Sequence, residues 1–350
     1  MTHTATNPAE ALGDEVTATP YEGGPGGLPL VVEPRSERLR TSVDATVTWF
    51  AERAEAFDHV LADAGAVVLR GFPIDGTGDF AALTSHLPPL AMGYSGGNAP
   101  RNAIQGNVME STRAHPSILI YLHQEMAYLP QYPSRLAFFC NVAAETGGET
   151  IVADVRQVAA RLPEDIVRGV RERGLRYIRN FRSPDRTTGD RVLDDFHNNW
   201  ALAFKTDDRA DVDAACDARG VRYEWQPDGS VTLFTELPGV REHPVTGETV
   251  WFNQMHAMAM KPPVIPRQLD QLMDRVYGPQ TGMTRPFQVE YGDGTPVTID
   301  ELSTIYGLFD ELTVASPWQH GDVMFVDNLH TAHGRNPYTG ARDTQVQVFA

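Results

Sequence analysis

The chain has 350 residues, 46 acidic against 29 basic side chains, and a net charge of −17. So acidic a molecule lacks the cations that displace counterions from phosphates, which excludes nucleic acid as a partner and disfavours anionic membrane surfaces. Two cysteines, Cys140 and Cys216, make no disulfide framework, and no apolar run approaches the ~18 residues of a membrane span.

The first residues show no basic region followed by an apolar run, so no signal peptide is expected and the chain is read as cytoplasmic. Residues 1–28 are rich in Thr, Pro, Gly, Ala and Glu. Such a segment buries too little apolar surface to offset its ordering, so a mobile arm is expected, free to dock in a homo-oligomer. From Val47, apolar residues recur at three- and four-residue steps through Phe50, Ala51, Ala54, Phe57 and Leu61, which predicts a helix. Gly65 stops it, and Ala66-Val67-Val68-Leu69 reads as a buried strand ended by Gly71.

Apolar, β-branched or aromatic runs from Ser117 to Tyr128 and from Arg135 to Ala143 predict further strands, bounded by Pro130, Pro133 and Gly147-Gly148. Two short helices are expected near 155–161 and 164–173, then a strand from Leu175 to Phe181. Residues 207–219 begin with aspartates and end at Arg219-Gly220, the charge order a helix dipole favours. Strands are predicted at 221–225, 231–235 and 249–252, helices at 266–277 and 299–312, and closing strands at 322–327 and 344–349. No linker or internal repeat divides the chain. The pattern predicts one barrel-like domain over 29–350, mainly β, with helical insertions in about 155–320.

Of eleven histidines, His3 lies in the arm, His59 and His86 in helical segments, and His197, His243 and His256 have no acidic or histidine neighbour at ligand spacing. His123 differs: Glu125 follows it by two within a strand-like run, and residues i and i+2 of a strand share a face. Far downstream, a Gly321-Asp322 turn leads through an apolar strand to His330 and His333. Three apart on extended backbone, these two face opposite sides, so one of them completes a site with His123 and Glu125. Two imidazoles and one carboxylate on one face leave coordination positions open, the arrangement of non-haem Fe(II) oxygenases.

The ordered set His123-x-Glu125, Gly147-Gly148-Glu149-Thr150 and Asp327-Asn328 through His333-Gly334-Arg335 to Arg342 resembles the TauD/TfdA family, Fe(II)- and 2-oxoglutarate-dependent dioxygenases that include clavaminate synthase-like amino-acid hydroxylases. Gly65 to Phe72 resembles the family's early strand, so the likeness runs from about residue 60 to the end. It implies a double-stranded β-helix, a jelly-roll of two antiparallel sheets with iron at its mouth. It also implies His123, Glu125 and His333 as iron ligands, with His333 preferred to His330 by its interval from the Asp-Asn pair. Thr150 matches the hydroxyl that contacts 2-oxoglutarate, and Arg342 the arginine that grips its far carboxylate, a task suited to a bidentate guanidinium.

The implied cofactors are Fe(II), the co-substrate 2-oxoglutarate and O2. The implied reaction is hydroxylation of an unactivated C–H bond in an amino acid or amino-acid-derived molecule of secondary metabolism, free or tethered to a carrier protein. Desaturation, epoxidation and cyclisation use the same cofactors, and a non-catalytic metal- and ligand-binding barrel is the reading from another class. Related halogenases carry Gly or Ala where Glu125 stands, which disfavours halogenation. Glu in place of the Asp of taurine-type enzymes leans towards the clavaminate synthase-like branch. Taurine-type members carry a second arginine where Val346 stands, so an anion bound at that spot is not expected. Asn107, Arg113 and Asn253 are candidate polar contacts to the substrate, and the acidic charge of the chain points to an amine-bearing one.

Overall fold

In the computed structural model, described here for residues 8–91, 101–111, 114–278 and 282–350, two β-sheets face each other. The larger has eight strands, in the spatial order Val16–Pro20, Leu30–Pro34, Ala66–Leu69, Val323–Asp327, Arg135–Val142, Asp343–Phe349, Val108–Glu110 and Ala103–Gln105. The smaller has four: Val314–Ala315, Thr150–Asp154, Thr331–Arg335 and Ile120–His123. All pairings are antiparallel except Leu30–Pro34 beside Ala66–Leu69. This is the jelly-roll architecture, with helices outside.

Strand alternation divides the core. Val68, Leu136, Phe138, Met324, Val326, Val346 and Val348 point towards the smaller sheet and share one apolar cluster with Ile151 and Val152. Their neighbours Val67, Leu69, Ala137, Phe139, Val323 and Phe325 point the other way, against Trp49, Phe50 and Phe57. The central strands are therefore buried on both faces, which is why they read as continuous apolar runs. The helix Val43–Glu52 starts at the Ser42 cap, and Ala54–Ala64 stops at Gly65, whose φ of 79° suits a residue without Cβ. Ile299–Leu312 opens on a reciprocal capping box between Thr298 and Glu301 and buries Leu302, Ile305, Phe309 and Leu312.

The N-terminal segment departs from expectation. Residues 8–28 are docked rather than free: Leu12 is fully buried, Trp49 Nε1 donates to its carbonyl, and Val16–Pro20 pairs with Leu30–Pro34 as the sheet edge. Its composition is poor in apolar residues, but Leu12 and Val16 bury in the cluster around Trp49 and Leu28 in the one between the sheets, while ladder hydrogen bonds satisfy the backbone. The insertion carries its expected helices together with the strands predicted near 175–181, 221–225 and 231–235. Leu175–Phe181, Val231–Leu237, Arg222–Trp225 and Phe287–Tyr291 form a separate four-stranded antiparallel sheet. Among the described residues no helix is long and apolar enough to cross a membrane.

Three imidazoles, His197 and His256 buried and His123 partly so, carry a pH consequence. His123, His197 and His256 are each pushed down to about 4, in every case chiefly by burial. An exposed histidine in the unfolded chain titrates near 6.5, so between these values the unfolded state binds more protons and folding loses stability as pH falls. Each imidazole adds about 1.4 kcal/mol per pH unit to that slope. For metal-free protein the melting temperature is expected to be level above about pH 7 and to fall steadily from there towards pH 4, with a shallower slope in the H256Q variant. A melting temperature constant over that range would contradict the assignment.

Candidate metal centre

His123 ends the strand Ile120–His123, and across the ladder its register partner is His333 on Thr331–Arg335. The two rings lie 4.5 Å apart. Glu125 is not on the strand, as the i, i+2 reasoning assumed; the chain turns after His123, and Met126 adopts a positive φ of 57°. The turn is held by Asn328, fully buried, whose Oδ1 accepts from the Glu125 amide and whose Nδ2 donates to the carbonyls of Glu125 and Pro133. Gln124 is buried beneath it, donating to the carbonyls of Trp251, Asn328 and Leu329. The Asp327-Asn328 pair therefore delivers two ligands: Asn328 fixes the Glu125 turn, and the strand it precedes carries His333.

Glu125 Oε2 lies 4.0 Å from His123 Nε2 and 3.7 Å from His333 Nε2. Two atoms bound to one ion at about 2.1 Å can be at most about 4.2 Å apart, so both contacts fit a shared ion. His123 Nδ1 faces the Tyr121 carbonyl at 2.7 Å, which places the proton there and leaves the Nε2 lone pair facing the carboxylate. Burial alone would raise the Glu125 pKa, but the Arg101 guanidinium and both imidazoles outweigh it and bring it to about 2. The carboxylate is thus charged, and the His123 lone pair available, across the neutral range. This donor set suits Fe(II).

The centre opens on a cleft lined by Ile120, Phe138, Thr150, Arg335 and Arg342 beside the two imidazoles. Thr150 begins its strand opposite Arg335 and is buried. Arg342 precedes the last strand, its Nε donating to the Gly148 carbonyl and Nη1 to Ser111 Oγ. Arg335 donates to the carbonyls of Ala114, His115 and Ile118 and so pins the segment leading to the first ligand strand. Val346, fully buried, stands opposite Phe138, and no cation occupies that position.

Other candidates fall elsewhere. Asn107 is exposed in the turn between Ala103–Gln105 and Val108–Glu110, away from the cleft lining. Asn253 is buried and its amide is committed to the Gly239 carbonyl and the Met255 amide, a structural role that short polar side chains often take beside strand ends. Arg113 lies outside the described residues. The residue missed by sequence reasoning is Arg101, buried, with Nη2 2.8 Å from Glu125 Oε2. No motif marks it; only the fold brings it to Glu125.

His330 faces away from the centre and joins a second buried group with Asp327 and His243, which sequence spacing had set aside. Asp327 Oδ1 accepts from the amides of Leu329 and His330, and Oδ2 faces His243 Nε2 at 2.9 Å. His243 Nδ1 accepts from the amides of Val245 and Thr246, so the ring proton sits on Nε2. That nitrogen has no lone pair for an ion, and the group reads as a lock on the turn between the strands 323–327 and 331–335.

Gly334 lies between His333 and Arg335, where a Cβ would stand 2.3 Å from the Ile120 carbonyl oxygen. Gly334→Ala is expected to push the two ligand strands apart, costing about 1–3 kcal/mol of stability and weakening iron binding at least tenfold. Thermal melts with iron titration check this, and unchanged iron affinity would contradict it.

The comparisons with known proteins agree with this geometry. The family model "Taurine catabolism dioxygenase TauD, TfdA family" matches residues 32–348. Dapdiamide synthesis protein DdaC of Enterobacter agglomerans is 28% identical over 306 residues, covering 87% of this chain and 88% of its own length. Clavaminate synthase-like protein At3g21360 of Arabidopsis thaliana is 28% identical over 329 residues, covering 92% and 93%. Among solved structures, PvcB from Pseudomonas aeruginosa superposes with a TM-score of 0.50 at 13% identity, over 96% of this chain and 91% of PvcB. AAD-2 in complex with Mn(II) and N-oxalylglycine gives 0.51 at 12% identity, over 96% and 97%. At those identities the two structures attest the fold. The family match attests more: the chain belongs to the TauD/TfdA family and is an Fe(II)- and 2-oxoglutarate-dependent dioxygenase.

Proposed function

We propose that the protein hydroxylates an unactivated C–H bond of a small amino acid or amino-acid-derived substrate, with His123, Glu125 and His333 holding Fe(II) and with Thr150 and Arg342 holding 2-oxoglutarate. The observation that carries the reading is the convergence of two imidazoles and one ionised carboxylate on a cleft that also presents Thr150 and Arg342. When bound, iron, 2-oxoglutarate and O2 supply the oxidising power, converting the co-substrate to succinate and CO2 as one oxygen atom enters the substrate.

The chain's own residues bind, orient and exclude. Tyr121 O keeps the His123 ring in the ligating tautomer, and Asn328 keeps Glu125 on the turn that aims it at the imidazoles. Arg342, steadied by Gly148 and Ser111, offers its remaining Nη donors to the far carboxylate of 2-oxoglutarate, and Thr150 offers a hydroxyl. Ile120 and Phe138 wall the cleft and keep water from the reacting carbon. A full carboxylate at position 125 leaves no place for chloride among the ligands and supports oxygenation over halogenation. A barrel that only binds a ligand has no use for Arg342 beside an iron-type donor set.

A screen of free and carrier-tethered amino acids, read as succinate release together with a product heavier by one oxygen atom, tests the reaction. A product lighter by two hydrogens would replace hydroxylation with desaturation. Succinate formation that no substrate stimulates would leave the hydroxylase reading without support.

A further inference from the structure

We infer that the primary substrate presents a free carboxylate to Arg101, and so is taken as a free acid rather than as a carrier-bound thioester; this rests on the proposed iron-centred cleft. The first ground is position. Arg101 lines the cleft, is buried, and its Nη2 is 2.8 Å from Oε2 of Glu125, the oxygen that also faces both imidazoles. Its guanidinium therefore stands directly beside the metal centre.

The second ground is charge. The described lining brings three guanidinium groups, Arg101, Arg335 and Arg342, and includes no Asp or Glu; outside it Glu125 pairs with Arg101 and Asp343 lies near Arg342, which leaves the cations in excess. Fe(II) and the 2-oxoglutarate dianion cancel each other and leave this positive excess as it was. An anionic substrate group lowers the excess, whereas a lone ammonium raises it inside a water-poor cleft where such imbalance is costly. The −17 charge of the whole chain is thus reversed at the site, and the amine-bearing substrate that it suggested finds no lining carboxylate to pair with.

The third ground is placement of the two planar forks. Arg342 is fixed by Gly148 and Ser111 ahead of the strand 343–349, while Arg101 is held separately, at Glu125. Two separate guanidinium forks match two separate carboxylates, one from the co-substrate and one from the substrate. Once the ion takes Glu125 Oε2, the Arg101 fork is positioned to share itself with an incoming carboxylate. A thioester or amide offers no charge there.

The test uses the anaerobic Fe(II)·2-oxoglutarate complex of the full chain, whose visible band reports changes at the metal. It is titrated with a panel of the common amino acids, each as free acid, primary amide and N-acetylcysteamine thioester. At least one acid is expected to shift the band with an apparent Kd tenfold or more below those of its amide and thioester. In the R101Q variant that ratio should fall to near one, and R101K should retain part of it. Equal response to acid and amide, a ratio untouched in R101Q and R101K, or no response to any acid would each overturn the inference. The two readings fail separately: absence of the band before any amino acid is added counts against the iron and 2-oxoglutarate assignment, while a normal band without acid preference counts against Arg101 alone.

Discussion

His333→Ala is expected to leave a folded protein that no longer binds iron tightly and releases succinate at a rate lowered by well over 100-fold. The ring is buried on a strand paired on both sides, so its removal leaves the ladders to Ile120–His123 and Thr150–Asp154 in place. The loss is catalytic because two ligands cannot define the face that three do, and even outer partners of metal ligands typically cost about 10–100-fold when removed. His330→Ala is the informative contrast. His330 is fully buried, donates from Nδ1 to the Ala62 carbonyl and stacks on His243 at 4.0 Å, so its loss should lower the melting temperature while iron still binds in one equivalent. Iron content, succinate release and melting curves of both variants check the pair. Loss of iron in H330A with retention in H333A would reverse the assignment of the third ligand.

Arg342→Lys is expected to raise the KM for 2-oxoglutarate by about 10–100-fold, since a charge-assisted hydrogen bond is worth about 1.5–3 kcal/mol and an ammonium cannot reproduce the fork. Burial, with Arg335 nearby, pushes the Arg342 pKa down to about 10, which still leaves it charged at neutral pH. Lysine would also lose the contacts to Gly148 and Ser111 that hold the side chain in place. Because the change acts on binding of the co-substrate, saturating 2-oxoglutarate should restore much of kcat. Succinate yield measured across 2-oxoglutarate concentrations separates the two. An unchanged KM would remove Arg342 from the co-substrate site.

Much of this architecture is legible in the sequence for a physical reason: strands buried on both faces must be continuously apolar, as Ala66–Leu69 is throughout and Val323–Asp327 is up to its final residue. The helix at 299–312 is equally plain, because its cap and its apolar spacing agree. The ligand pair His123 and His333 is visible through the order of its motifs, although no local pattern states that the two become register partners. Glu125 was found by reasoning that assumed a strand, whereas the structure reaches the same convergence by a turn that Asn328 holds from over two hundred residues away.

Long-range partnerships hid the remainder. Arg101 has no motif, and its meaning comes from Glu125. His243 has no acidic neighbour at ligand spacing in sequence, yet Asp327 waits for it across the fold. The N-terminal segment reads as disordered by composition because composition does not count ladder hydrogen bonds. Phe287–Tyr291 is short and half-buried, and it becomes a strand by pairing with Leu175–Phe181.

Anaerobic addition of 2-oxoglutarate to the Fe(II)-loaded protein tests the central claim most directly. A visible charge-transfer band should appear at one equivalent of each and be absent in the H123A variant. A protein that binds iron but gives no band with 2-oxoglutarate, or a band that survives in H123A, would contradict the centre built from His123, Glu125 and His333.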